Sequence, residues 1–217
     1  APLLTISGTL LAFAGLVILT LIGLRFPDDS IVIYSEKIIG KWFARLVNCT
    51  VVLFFAILTA LTSREFGEVV ITAVLQETPL EVTVIIMLLL AAISSRNNFT
   101  TFTYIHHLYF PLILFPGLLI VVLSLKNANP LYLQPIIGNE PGGFGTGILT
   151  IAALFQGSFI YTHVIPAMRQ PKKALRSSFW GIFIAGGLYI LIVIATVGVF
   201  GSEETKRLLW PPLELAK

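Results

Sequence analysis

The run PLLTISGTLLAFAGLVILTLIGL fills residues Pro2 to Leu24, and the first charged side chain of the chain is Arg25. At about 1.5 Å per residue, a helix of this length reaches roughly 34 Å. That is enough to cross the hydrocarbon core of a bilayer, which is about 30 Å thick. The run therefore predicts a membrane-spanning helix.

The composition extends this prediction to the whole chain. Of 217 residues, 56% are hydrophobic and 12% are charged, and the mean hydropathy is +0.92. The charged share is about half that of an ordinary soluble domain, so one large soluble core does not explain the composition. The single cysteine, Cys49, excludes a disulfide framework and a cysteine metal site within this chain. The formal charge of +3 comes from short loops between apolar runs, a distribution that sets membrane topology rather than nucleic-acid binding.

The apolar runs predict an all-α, polytopic transmembrane protein with six spans in a single domain over 1–217. The run from Ile31 to Gly40 predicts an additional helix at the membrane interface, at about 30–40. We expect the charged stretch Arg64–Glu68 to end the second span, and Pro111 and Pro116 to kink or break the fourth. The predicted spans are about 2–24, 42–63, 80–95, 99–125, 145–166 and 178–200.

The basic residues predict the orientation, because cytoplasmic loops are enriched in lysine and arginine. One set of alternate loops holds nine basic residues and the other holds five. The richer side is predicted to be cytoplasmic, which places both ends of the chain outside. Its nine residues are Arg25, Lys37, Lys41, Arg45, Arg96, Arg169, Lys172, Lys173 and Arg176.

Six short stretches, spaced by the predicted spans, carry a resemblance to a known family. They are Arg25–Pro27 (RFP), Ile33–Trp42 (IYSEKIIGKW), Arg64–Glu68 (REFGE), Glu77–Glu81 (ETPLE), Gln170–Ala174 (QPKKA) and Leu209–Leu215 (LWPPLEL). In this order the chain resembles the spore germination permease family, the B subunit of germinant receptors, within the amino acid, polyamine and organocation superfamily.

The resemblance implies a LeuT-like fold of ten helices with a five-plus-five inverted repeat. The six predicted spans would then be roughly helices two to seven, and a chain that begins at Ala1 with no basic segment ahead of its first apolar run is expected to be a fragment. In such folds the substrate lies near the membrane midplane between two discontinuous helices. One of these would be the fifth predicted span, and the other would be a first helix outside this sequence.

A candidate binding site lies in the middle of the fifth span. The stretch FQGSFIY combines a glycine, two polar side chains and a tyrosine, and an unwound helix leaves backbone groups free to meet a substrate carboxylate. The alternative is that Gly157 and Ser158 form a close helix contact, since small residues serve tight packing in lipid. The candidate residues are Phe155, Gln156, Gly157, Ser158, Phe159 and Tyr161.

The resemblance implies that the second span also lines this pocket. The residues concerned are Asn48, Cys49 and Thr50, with Phe54 one turn later. Ordinary hydrogen bonding between helices is the alternative interpretation of these polar residues.

Other patterns favour structure over function. His106 and His107 are candidates for proton relay, but a neutral histidine bonded to a neighbouring helix explains them as well. Three histidines without carboxylates at ligand spacing predict no metal site. The glycines from Gly142 to Gly147 suggest a loop that enters the membrane, and no cofactor fingerprint surrounds them. Ser177, Gly181 and Ala185 recur every four residues, which predicts close helix packing.

Three functions remain open at this point, and none is enzymatic, because the sequence shows no serine nucleophile with a histidine partner, no paired carboxylates and no cofactor motif. The resemblance favours a receptor subunit that binds an amino-acid-like germinant and signals to partner receptor subunits in the spore inner membrane or cell membrane. A secondary transporter for an amino acid or organic cation is the first alternative. A subunit of an ion-conducting assembly is the second.

Overall fold

The computed structural model describes residues 2–134 and 141–216, and every regular element in these ranges is helical. The all-α prediction is confirmed. Short 3₁₀ turns occur at Leu125–Asn127, Pro130–Leu133, Gln156–Ile160, Ile165–Ala167 and Pro171–Lys173. The α-helices are α1 (Pro2–Arg25), α2 (Ile31–Ile39), α3 (Lys41–Ala73), α4 (Leu80–Ser95), α5 (Phe99–Ser124), α6 (Pro141–Ala153), α7 (Tyr161–Val164), α8 (Ala174–Arg207) and α9 (Pro211–Glu214).

Lengths and composition make this an integral, multi-pass membrane protein. Four of the described helices, α1, α3, α5 and α8, are long and apolar enough to cross a bilayer, and a bent pair of helices forms a fifth candidate. Leu80–Ser95 is a shorter apolar helix. Large side chains such as Leu46, Val52 and Leu61 on α3 are exposed, as lipid-facing residues are. Helix α4 corresponds to the third predicted span, and the count of six spans, which requires that α4 cross the membrane, stays a prediction.

The chain divides into two compact units, and the first consists of Ala1–Ile31 and Pro111–Lys217. In this unit α1 packs against α6 and α8. Glycines allow the close approach: a Cβ added to Gly8 would lie 3.0 Å from the carbonyl oxygen of Ile148 on α6, and one added to Gly186 would lie 2.5 Å from Thr9 Cγ2. Small residues are what permits helices to pack in lipid, where hydrophobic driving force is absent.

The second unit, Val32–Phe110, contains α2, α3, α4 and the first part of α5. The predicted interfacial helix is present as α2, and it is separated from α3 by Gly40, whose φ of 81° is a backbone conformation that favours glycine. Helices α3 and α4 form a hairpin. A Cβ added to Gly67 would lie 2.8 Å from side-chain atoms of Leu80 and Val84, so the glycine allows α4 to lie close to α3.

Of three local predictions, one was wrong, that of a loop at the glycines 142–147. Helix α3 does not end at Arg64–Glu68 but continues to Ala73, and Arg64 Nε donates to Glu68 Oε1 at 3.0 Å, a spacing of four that supports a helix. The end of the second span at this stretch stays a prediction. Pro111 and Pro116 lie inside helix α5 and do not break it, and a kink there stays a prediction. The glycines that were expected to form a loop belong to α6, whose first residue is Pro141, a residue suited to the first turn of a helix.

The predicted close contact on the sixth span was assigned to the wrong stripe of α8. Ser177, Gly181 and Ala185 are exposed, and a Cβ added to Gly181 would meet nothing within 4 Å. The buried stripe is shifted by one residue. Its members are Ala174, Ser178, Ile182 and Gly186.

Candidate functional site

The fifth predicted span is discontinuous, as its sequence suggested. Helix α6 ends at Ala153, and the chain resumes a helical course at Gln156 after a bend of 45°. At the break the N–H groups of Leu154 and Phe155 donate to carbonyls only three residues earlier, at 3.2 and 3.1 Å. This tightening ends the α-helical hydrogen-bond ladder, because an α-helix requires donors and acceptors four residues apart.

The second half of the span begins with a new helical segment, the 3₁₀ turn Gln156–Ile160. The N–H of Ser158 donates to the carbonyl of Phe155 at 2.9 Å. The N–H groups at the start of a helical segment attract anions, including carboxylates.

The break adjoins a cavity of about 360 Å³ that lies between it and α8. Phe155, Gly157, Ser158 and Tyr161 line it. A Cβ added to Gly157 would meet nothing within 4 Å, so this glycine does not serve a close helix contact within the described residues. The full set of lining residues is Leu16, Leu154, Phe155, Gly157, Ser158, Ile160, Tyr161, Ser177, Ser178, Gly181, Ile182 and Ala185.

The opposite wall of the cavity was missed as a site by sequence reasoning. Ser177, Gly181 and Ala185 of α8 face the cavity, and Leu16 of α1 joins them. The spacing of four was visible in the sequence, but it was interpreted as a helix contact. Gln156 and Phe159, which sequence reasoning proposed, are not among the described lining residues.

Hydrogen bonds fix the walls of the cavity. Tyr161 donates its hydroxyl to the carbonyl of Ala174 at 2.7 Å, which joins the second half of the broken span to the first turn of α8. Ser178 donates to the carbonyl of Leu175 at 2.9 Å. Ser158 and Ser177 add hydroxyl groups to a lining that is otherwise mostly apolar. Among the described residues that line the cavity, none is charged.

The candidate residues of the second span lie in the other unit. Asn48 donates its side-chain amide to the carbonyl of Val32 at 3.3 Å and to Ser35 Oγ at 3.2 Å, which ties α3 to α2. Thr50 donates to the carbonyl of Leu46 within its own helix at 3.0 Å. Cys49 is exposed, and Phe54 is half exposed. A part for these residues in ligand binding stays a prediction.

The histidines make local contacts. The Nδ1 atom of His106 lies 2.9 Å from the carbonyl oxygen of Phe102, one turn earlier in the same helix, so the expected bond to a neighbouring helix is not the one His106 makes. His163 Nδ1 lies 3.1 Å from Thr162 Oγ1. In the described ranges no group of three or more histidine, cysteine or carboxylate residues is placed to hold a metal ion.

Comparison with known proteins gives consistent matches. Over residues 3–217 the chain matches the profile of a family described as "Spore germination protein". It is 24% identical over 212 residues to spore germination protein YndE of Bacillus subtilis (strain 168). The matched region covers 98% of this chain and 58% of that protein. Over 196 residues it is 22% identical to spore germination protein A2 of the same organism, covering 90% of this chain and 54% of the relative.

A relative from a second species gives a similar result. Spore germination protein GerLB of Bacillus cereus is 25% identical over 217 residues, covering 99% of this chain and 58% of the relative. The chain thus spans little more than half the length of the curated relatives it matches. No solved structure matches it significantly.

Proposed function

Because the chain belongs to the spore permease family of spore germination proteins, we propose that it is part of a germinant receptor subunit that binds a small amino-acid-like nutrient. As a multi-pass membrane protein of this family, it resides in the spore inner membrane or cell membrane. The proposed function includes no chemical conversion of the ligand.

The broken span is the observation that carries the proposal. It places the start of the 3₁₀ turn Gln156–Ile160 next to a cavity that also contains the Ser158 hydroxyl. Backbone N–H groups at the start of a helical segment bind carboxylates, and discontinuous helices hold substrate carboxylates in this way. The carboxylate of the nutrient is therefore proposed to lie at the break.

The size and polarity of the cavity support a small ligand without net charge. A volume of about 360 Å³ is at the lower end of ligand pockets in proteins. A cationic ligand would need an acidic partner in a membrane interior, where an unpaired charge is costly, and the described lining contains none. A zwitterionic amino acid with a short apolar side chain satisfies both conditions.

Signalling to other receptor subunits requires that the ligand bind one conformation better than another, because only differential affinity shifts an equilibrium. The two halves of the broken span supply an element that can change its bend angle. Tyr161, bonded to Ala174, links the second half to α8. We propose that ligand binding at the break changes the position of this half and that partner subunits respond to it.

Substitution of Gly157 by leucine tests the proposal. The new side chain enters open space in the cavity, so we expect normal assembly in the spore membrane and a complete loss of the response to the nutrient. Gly15→Leu is the matched control, because Gly15 is also open and does not line the cavity. An unchanged nutrient dose-response in Gly157→Leu spores, with normal protein level, would refute the site.

A secondary transporter is the second candidate, since broken helices are typical of transporters. Uptake of a labelled amino acid into proteoliposomes distinguishes the two functions. Uptake that an ionophore abolishes would favour the transporter. Retained binding without uptake would favour the receptor.

A further inference from the structure

Four basic side chains lie within the segment that leads into α8 and in its first turn. We call Arg169, Lys172, Lys173 and Arg176 the basic cluster. All four are exposed. Within residues 2–134 and 141–216, none of the four forms an ion pair. The cluster therefore presents positive charge that the described protein does not neutralise.

Carboxylates are few at this end of the first unit. Gly23 of α1 packs on Ile165, which brings the end of α1 to the segment that precedes the basic cluster. The last turn of α1 adds Arg25, and the loop after it adds the two carboxylates Asp28 and Asp29. Five basic side chains thus outnumber two acidic ones at this end.

An apolar groove of about 240 Å³ runs between α1 and α8, apart from the cavity at the broken span. Phe13 and Phe179 meet edge to face with ring centroids 5.6 Å apart, and Phe179 and Phe183 stack at 5.9 Å. Gly187 also lines the groove, and a Cβ added to it would meet nothing within 4 Å. The groove is thus open and bounded by aromatic rings.

Arg176, the member of the basic cluster that belongs to α8, lies on the face of α8 that lines the groove. Arg176 precedes Phe179 by three residues and Phe183 by seven, a spacing that puts side chains on the same side of a helix. Trp180 contacts Phe183 at 5.7 Å between ring centroids and is half exposed, as tryptophans at the headgroup level are. From Phe179 to Ile190, the last groove residue, α8 rises roughly 16 Å, close to the depth of one leaflet of a bilayer about 30 Å thick.

We propose that this face of α8 is a binding site for one anionic phospholipid. The basic cluster holds the phosphate headgroup, and one acyl chain lies in the groove along Phe179, Phe183 and Gly187. Charge complementarity favours this occupant over another transmembrane helix, since basic clusters beside a span bind anionic headgroups. An apolar helix would fill the groove but leave four cations without a partner.

Lipid binding to the purified protein in detergent, counted by native mass spectrometry, tests the proposal. Phosphatidylglycerol and phosphatidylcholine with identical acyl chains are the two probes. We expect the anionic lipid to bind at least about tenfold more tightly, since each basic side chain near a membrane surface contributes about fivefold. The combined variant Arg169→Gln, Lys172→Gln, Lys173→Gln, Arg176→Gln removes this preference.

A second variant tests the groove without altering any charge. Gly187→Leu places a side chain in open space within the groove, so we expect weaker binding of both lipids and an unchanged fold. Gly15→Leu, and Lys206→Gln with Arg207→Gln, are the controls, and both are expected to bind like the wild type.

Three results would overturn the proposal. The first is a preference for phosphatidylglycerol that survives removal of the basic cluster. The second is lipid binding that Gly187→Leu does not change, as expected if a helix covers the groove. The third is displacement of the lipid by inorganic phosphate alone, which would make the cluster a site for free phosphate.

Discussion

On α8, Ser178, Ile182 and Gly186 form one stripe of residues four apart, and Ser177, Gly181 and Ala185 form the adjacent stripe. The first stripe is buried and the second lines the cavity. A Cβ added to Gly186 would lie 2.5 Å from Thr9 Cγ2, whereas one added to Gly181 would meet nothing within 4 Å.

The two stripes show that small residues on a membrane helix do not by themselves distinguish a helix contact from a cavity. Helix α1 packs on the stripe that contains Gly186. The stripe that contains Gly181 borders open space that suits a small solute. Both requirements select glycine, serine and alanine, because both exclude large side chains.

Gly186→Leu is expected to have the largest effect on the structure. The leucine must displace Thr9, a β-branched residue with little rotational freedom, and overpacking of this kind destabilises by about 1–3 kcal/mol. The free energy of unfolding, measured by denaturant titration in mixed micelles, should fall by this amount. Stability equal to that of Gly15→Leu would show that α1 does not pack on this stripe.

Gly181→Leu should abolish the nutrient response without changing the stability of the protein. Its side chain fills open space in the cavity, so we expect unchanged unfolding and complete loss of the germination response to the nutrient. Spores that carry each variant, compared at equal protein levels, provide the measurement. If Gly181→Leu proved as destabilising as Gly186→Leu, the distinction between the two stripes would be wrong.

Tyr161→Phe sharpens the comparison at the link between the broken span and α8. The variant removes the hydroxyl that donates to the carbonyl of Ala174 at 2.7 Å. Hydrogen bonds between helices in membranes contribute on average about 0.6 kcal/mol, so a loss of this order is expected in the same unfolding titration. A nutrient response shifted to a different concentration would show that the link takes part in signalling, and Tyr132→Phe serves as the control.

The smallest effect is expected beyond Gly201, whose φ of 75° ends the regular part of α8. There Lys206 donates a hydrogen bond to Glu203 at 2.8 Å. This bond, followed by the positive charge of Lys206, lowers the pKa of Glu203 below its ordinary 4.5. Because the pKa of Glu203 is lower in the folded state, its ionised carboxylate stabilises the fold above the ordinary pKa of 4.5. This stabilisation is lost as the pH falls through the folded-state pKa.

Lys206→Gln therefore should reduce thermal stability slightly at neutral pH, and the reduction should disappear as the pH falls below the folded-state pKa of Glu203. Both partners are largely exposed, so salt should remove the difference. Lys126→Gln, whose lysine has no ion pair among the described residues, is the control. A difference that persists at low pH would contradict this assignment.

Several parts of the fold were predictable from local signals. The bounds of α4 follow from Pro79 before it and Arg96 after it, since proline and charged turn residues punctuate apolar runs. The break in the fifth span was implied by the family resemblance, and the glycine and polar residues in its middle indicated where it lies. Four residues of the cavity, Phe155, Gly157, Ser158 and Tyr161, were identified in the same way.

The part that could not be predicted concerns which residues meet across helices. The cavity wall formed by Ser177, Gly181 and Ala185 was taken for a packing stripe, because a period of four fixes the spacing of residues but not which neighbour lies on each side. The length of α3 beyond Arg64 was missed because charged residues end a membrane span without ending a helix.

The sequence by itself determined that this protein is helical and lies in a membrane, because lipid requires apolar side chains and internally satisfied backbone hydrogen bonds along each span. The resemblance of its short motifs to a known family further implied that the fifth span is irregular. Only the tertiary structure decided that Gly186 contacts α1, that Gly181 faces a cavity and that Gly187 faces a groove. These three glycines are equivalent in local sequence terms, and they differ because the positions of α1 and α6 relative to α8 follow from side-chain packing over the whole unit.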